Sequence, residues 1–136
     1  MKPAVIYFSR TGNTKRLAQA IAGELKAPIF AMSETQSSAL LDFDLLVVGT
    51  PVEGSSPAKE ASAFIESIPI TEGQKAIVFC INRLFGSGRT MNKVEQMLED
   101  KGYETILKVS KKGMHPGKEA DFSDILAQVK KTLEKP

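Results

Sequence analysis

Ser9, Thr11, Asn13 and Thr14 gather short hydrogen-bonding side chains around Gly12, immediately after the apolar run Ile6-Tyr7-Phe8. The chemistry this pattern suits is anion binding. A helix that starts here has backbone N–H groups without intrahelical partners, and its dipole adds partial positive charge at that end, so a phosphate is well received. Hydroxyl and amide groups can donate to phosphate oxygens, and Gly12 permits the positive φ of a tight wrap. The plainer alternative is that Asn13 or Thr14 is an N-cap and Gly12 a turn residue. Two other phosphate loops fail on spacing. Gly49-Thr50-Pro51-Val52-Glu53-Gly54-Ser55 has the outer glycines of a Walker loop but no lysine, and Gly86-Ser87-Gly88-Arg89-Thr90-Met91 lacks the third glycine of a dinucleotide fingerprint.

The elements that would position such a loop follow from periodicity. Ala4 to Phe8, Pro28 to Met32, Leu45 to Gly49, Ala76 to Ile81 and Thr105 to Val109 read as five strands rich in Val, Ile and Phe. Between them the period changes to that of helices. Leu17, Ala18, Ile21, Ala22 and Leu25 share a face of the first, and Ala61, Phe64, Ile65 and Ile68 a face of a later one. Met91, Val94 and Leu98 recur in the next, and Phe122, Ile125, Leu126, Val129 and Leu133 in the last. Thr35 to Asp42 is too short for a helix of that kind. Alternating strands and helices imply parallel strands with crossover helices on both faces, a three-layer α/β/α sandwich that accounts for residues 1–136 as one domain. Ligands of such sheets bind beyond the carboxyl ends of the strands. The loops at that edge are Ser9 to Thr14, Thr50 to Pro57, Asn82 to Arg89 and Ser110 to Lys118.

Composition narrows the function classes. A chain of 136 residues with 42% apolar content buries a core without metal or disulfide help. Its longest apolar runs, such as Leu45-Leu46-Val47-Val48, are too short to span a bilayer, and Met1 to Ala4 leads into a strand instead of a signal peptide. A soluble, cytoplasmic protein without membrane insertion is expected. Eighteen Lys and Arg against sixteen Asp and Glu do not indicate a nucleic-acid binder. Cys80 stands alone in an apolar run, which points to a buried, inert thiol. It is also no phosphatase nucleophile, because Gly86 stands six positions on, where a phosphate-cradling cysteine loop needs arginine.

Tyr7-Phe8-Ser9-Arg10-Thr11-Gly12-Asn13-Thr14 resembles the FMN phosphate loop of the flavodoxin-like family. Val48-Gly49-Thr50-Pro51-Val52 is similar to the strand and turn that open its second flavin loop. Phe79, then Gly86-Ser87-Gly88-Arg89-Thr90, the stretch Met91 to Lys101 and Gly102-Tyr103 resemble its third loop and following helix. The resemblance covers nearly the whole chain. It implies a five-stranded parallel sheet of order 2-1-3-4-5, with FMN where strands one and three part. By that resemblance the cofactor-binding residues are Ser9, Arg10, Thr11, Gly12, Asn13 and Thr14 on the phosphate, then Thr50, Pro51, Val52, Glu53 and Gly54, with Asn82, Arg83, Leu84, Phe85, Gly86 and Gly88 on the far side of the ring. It implies an electron-transfer flavoprotein serving redox partner proteins, in which the flavin carries the chemistry and the chain supplies no catalytic acid, base, nucleophile or metal site.

The chain departs from the family pattern in two ways. Relatives sandwich the flavin between aromatic side chains, but this chain has no Trp, and Phe85 is the only loop aromatic, open to reading as a stacking partner or as a core residue. Relatives are also strongly acidic, whereas here Arg83 and Arg89 flank the expected ring site, with Lys111, Lys112, His115 and Lys118 in the neighbouring loop and Glu53 the one nearby acid. Cations there would stabilise the reduced, anionic flavin and favour a partner with an acidic docking surface; the alternative is an ordinary solvated loop. Two other functions stay open. One is an FMN-dependent reductase of a quinone or other small acceptor, and the other is a flavin-free binding module on the same fold.

Overall fold

In the computed structural model, residues 1–82, 85–112 and 121–134 are described. The first strand, β1 (Pro3–Tyr7), leads into α1 (Asn13–Leu25), β2 (Ile29–Ala31) and two short 3-10 turns at Met32–Glu34 and Ser37–Asp42. Then come β3 (Leu45–Glu53), β4 (Ser56–Pro57), α2 (Lys59–Glu66), β5 (Gln74–Asn82), α3 (Ser87–Glu99), β6 (Tyr103–Lys112) and α4 (Ser123–Glu134). The five long strands are parallel in the order β2-β1-β3-β5-β6, as expected from the sequence, and β4 adds a two-residue antiparallel pairing to β3.

Period-two alternation of apolar residues builds both faces at once. Ala4 and Ile6 of β1, Leu46 and Val48 of β3, and Ala76 and Val78 of β5 point to one side, where Ala61 and Ile65 of α2 and Val94 and Leu98 of α3 cover them. Val5, Val47, Ile77 and Phe79 point to the other, against Leu17 and Ile21 of α1 and Ile125 and Val129 of α4. All of these side chains are essentially water-free, and fully burying one aliphatic or aromatic side chain is worth about 1.5–3 kcal/mol. Among the described residues no helix is long and apolar enough to cross a membrane. Cys80 is fully buried, and burial pushes its thiol up to about 12, the inert state expected of it.

Three strands outrun their expected ends. Gly49-Thr50-Pro51 reads locally as a break, yet β3 continues through it because β5 pairs with it as far as Pro51, opposite Ile81. β5 in turn runs to Asn82 and β6 to Lys112, so Ser110, Lys111 and Lys112 are strand residues instead of loop residues.

Candidate functional site at the carboxyl edge of the sheet

Gly12 has φ 93°, the left-handed conformation that costs glycine nothing, and it caps α1 with no side-chain hydrogen bond. The Ser9 hydroxyl turns back to accept the Gly12 N–H at 3.0 Å, and the Arg16 N–H donates to the Gly12 carbonyl at 3.0 Å. The first turn of α1 carries no acid, so the helix itself adds no repulsion to an anion placed before it. The N-cap alternative for Asn13 and Thr14 therefore gives way to a glycine-capped helix of which both are already part.

The second loop is a hairpin. After Glu53 the chain reverses through Gly54 and Ser55, both with positive φ (58° and 63°), and β4 pairs back so that Val52 faces Pro57 and Glu53 faces Ser56. This is the φ pattern of a type I′ turn, whose twist matches that of its strands. Thr50 lies under it, fully buried, its hydroxyl accepting the Ala58 N–H at 3.1 Å and donating to the Pro51 carbonyl at 3.0 Å. Thr50 thus holds the hairpin base from inside and presents no side chain to a ligand. Lys93 of α3 donates to the Ser56 hydroxyl at 2.6 Å, a second tie on the hairpin.

In the third loop, Gly86 caps α3 with φ 97° and lies against the hairpin, where an added Cβ would stand 2.7 Å from Ser55 Oγ and 3.0 Å from Ser55 Cα. Phe85 is 75% exposed, which rules out its reading as a core residue and leaves its ring free at the edge. Gly88 has open space where a Cβ would go. Arg83 and Leu84, named from the sequence, lie outside the described residues, as do His115 and Lys118.

Between these loops runs a cleft of about 180 Å³ that joins Arg10, Thr11, Asn13 and Thr14 to Pro51, Val52 and Glu53 and to Ile81 and Asn82. The turn after β1, the start of α1 and the ends of β3 and β5 thus line one space. A second hollow of about 290 Å³ flanks the first loop on its β2 side, between Ser9, Lys15, Ser33 and Glu34.

Charge at the site is arranged differently from the single-sign cluster expected. The Arg10 guanidinium bonds Glu53 through Nε and Nη2 and Glu60 through Nη1 and Nη2, the last three contacts at 3.0, 2.8 and 2.8 Å, and stacks 5.0 Å from the centre of the Phe8 ring. Hydrogen bonding to Arg10 holds the Glu60 carboxyl below its ordinary value, and Glu53 followed by Glu60 raises Arg10 further. Glu53 is therefore not the one acid nearby. Glu60, in the first turn of α2, was not anticipated, because nothing in its local pattern announces a partner fifty positions away. Lys111 is bound to Asp124 of α4 at 3.3 Å, whereas Arg89 and Lys112 are exposed.

Comparison with known proteins agrees with this architecture. The family model described as a flavodoxin domain matches residues 4–113. A flavodoxin from Megasphaera elsdenii is 27% identical over 110 residues, covering 75% of this chain and 80% of that one. Oxidised flavodoxin 1 from Bacillus cereus superposes with a TM-score of 0.83 at 19% identity over 100% of this chain and 99% of that one. Flavodoxin 2 from the same organism gives 0.78 at 23% identity over the full length of both chains. With most of its length matched by the family model and the sheet order and loop geometry in place, the chain belongs to the flavodoxin-domain family, whose cofactor is FMN.

Proposed function

We propose that this protein binds FMN noncovalently and carries electrons between redox partner proteins. The observation that supports this best is the convergence of the turn after β1, the start of α1 and the ends of β3 and β5 on one cleft, headed by a helix start that no side chain caps and whose first turn carries no acid. The donors fit a phosphate monoester: the N–H groups of the first turn of α1, with Thr11, Asn13 and Thr14 around them. Val52 and the hairpin would form one wall for the ring, and Phe85 on the opposite loop offers an exposed aromatic face. When bound, the flavin supplies one- and two-electron chemistry. The chain's part is to grip the phosphate, orient the ring and set the surrounding charge.

Arg89 and Lys112 are exposed, and we propose that they offer basic contacts to a partner that is acidic there. Titrating the apoprotein with FMN and with riboflavin tests the binding mode. Quenching of flavin fluorescence at much lower FMN than riboflavin concentration is expected; equal affinities would remove the phosphate site from the argument. Incubating the holoprotein alone with NAD(P)H separates carrier from reductase, since rapid oxidation without a partner protein would favour the enzyme.

A further inference from the structure

Four of the five N–H groups of Arg10 are committed to two carboxylates, in two bidentate pairs that leave the guanidinium no fork for a phosphate. Resemblance alone assigns Arg10 to the phosphate loop as a ligand contact, and its geometry gives it another task. We propose that Arg10 is a positioning residue which clasps the second flavin loop to the first and masks Glu53 and Glu60 from the flavin; the inference rests on the FMN reading.

The clasp joins three elements that are distant in sequence. Arg10 follows β1, Glu53 ends β3 and Glu60 begins α2, separated from Arg10 by 43 and 50 positions. Exposed ion pairs ordinarily contribute little, and these side chains are 43%, 35% and 38% exposed. Here, however, the arrangement is a doubly bidentate network anchored on the Phe8 ring, the geometry in which an arginine loses least entropy per bond formed. Arg10 and Glu53 line the cleft themselves, so any change in their arrangement alters its wall. Two carboxylates with one guanidinium carry a formal charge of −1. Without Arg10 they would carry −2 against a site that must accept a phosphate dianion and, on reduction, a further negative charge. Masking therefore acts twice, once on FMN affinity and once on the reduction potential.

The test compares Arg10→Gln, the Glu53→Gln/Glu60→Gln double variant, the triple variant and Arg10→Lys, each titrated with FMN and each poised in a redox titration. Arg10→Gln is expected to weaken FMN about tenfold and to weaken the reduced form about tenfold more, which lowers a one-electron potential by ~59 mV. In the triple variant, whose cluster carries no formal charge against −1 in the wild type, the potential should rise to the wild-type value or above it although the clasp stays broken, a result that a purely structural role would not produce. Arg10→Lys, which keeps the charge but not the fork, should restore most of the potential and only part of the affinity. Should Arg10→Gln alone fail to fold, the triple variant and Arg10→Lys carry the same comparison. If wild-type protein binds FMN but Arg10→Gln leaves affinity and potential unchanged, the clasp is refuted while the flavin reading stands. If the wild type takes up no FMN, the flavin reading falls first.

Discussion

Gly86 and Gly88 stand two positions apart at the start of α3, and the structure requires opposite responses to the same substitution. Gly86→Ala forces a Cβ into the left-handed region, at about 1–2 kcal/mol, and drives it to 2.7 Å from Ser55 Oγ and 3.0 Å from Ser55 Cα. Overpacking of this kind adds about 1–3 kcal/mol, so a loss of about 2–5 kcal/mol follows. Gly88→Ala meets nothing within 4 Å and has no positive φ, so it should gain about 0.5–1 kcal/mol from better helix propensity and a less flexible unfolded chain. Ser55 is the other side of the clash and itself has φ 63°. Ser55→Gly in the Gly86→Ala background therefore removes both the hydroxyl and a strained residue, and about half of the loss should be recovered. Urea unfolding followed by far-UV circular dichroism, with all four proteins at constant m, reads these differences directly. Because Gly86 presses on the hairpin, Gly86→Ala should also weaken FMN binding. Shifts of the same sign at both glycines, or no recovery on adding Ser55→Gly, would refute the claim that the second and third loops are packed against each other.

Replacing Thr11 and Thr14 together by Ala should weaken FMN by roughly 1–3 kcal/mol and riboflavin hardly at all, since hydrogen bonds to a charged phosphate are among the stronger ones. Because burial pushes the Cys80 thiol up to about 12 from 9.0, the folded state keeps a proton that the unfolded chain loses, so stability should fall as pH rises through that window. Cys80→Ala should flatten this alkaline limb, measured by urea unfolding across the range. Glu60 has the opposite sign: its carboxyl is held low by Arg10, so its contribution is present above the ordinary carboxylate value and is lost as pH falls. Arg10→Met should shrink that acid-side loss. With a partner in hand, Arg89→Glu and Lys112→Glu should slow association at low salt and leave FMN affinity unchanged, as stopped-flow measurements would show.

Sequence alone determined the layers. Val5, Val47 and Ile77 alternate with Ile6, Val48 and Val78, and that period sends successive residues to opposite faces whatever their neighbours are. The glycine-centred turn between β1 and α1 was equally legible, because strand, turn and helix there are continuous in the chain. Tertiary structure decided where the strands end and how the site is closed. Gly49, Thr50 and Pro51 carry local signals for a break, but hydrogen-bonded neighbours on the sheet carried β3 on to Glu53, and only then could Gly54 and Ser55 turn β4 back upon it. Arg10, Glu53 and Glu60 have no spacing that announces them, since each lies on a different element and none shares a helical or strand period with another. Their pairing exists because the parallel sheet brings the end of β1 beside the end of β3 and the start of α2 beneath both, so the charge around the flavin site is a property of the assembled fold.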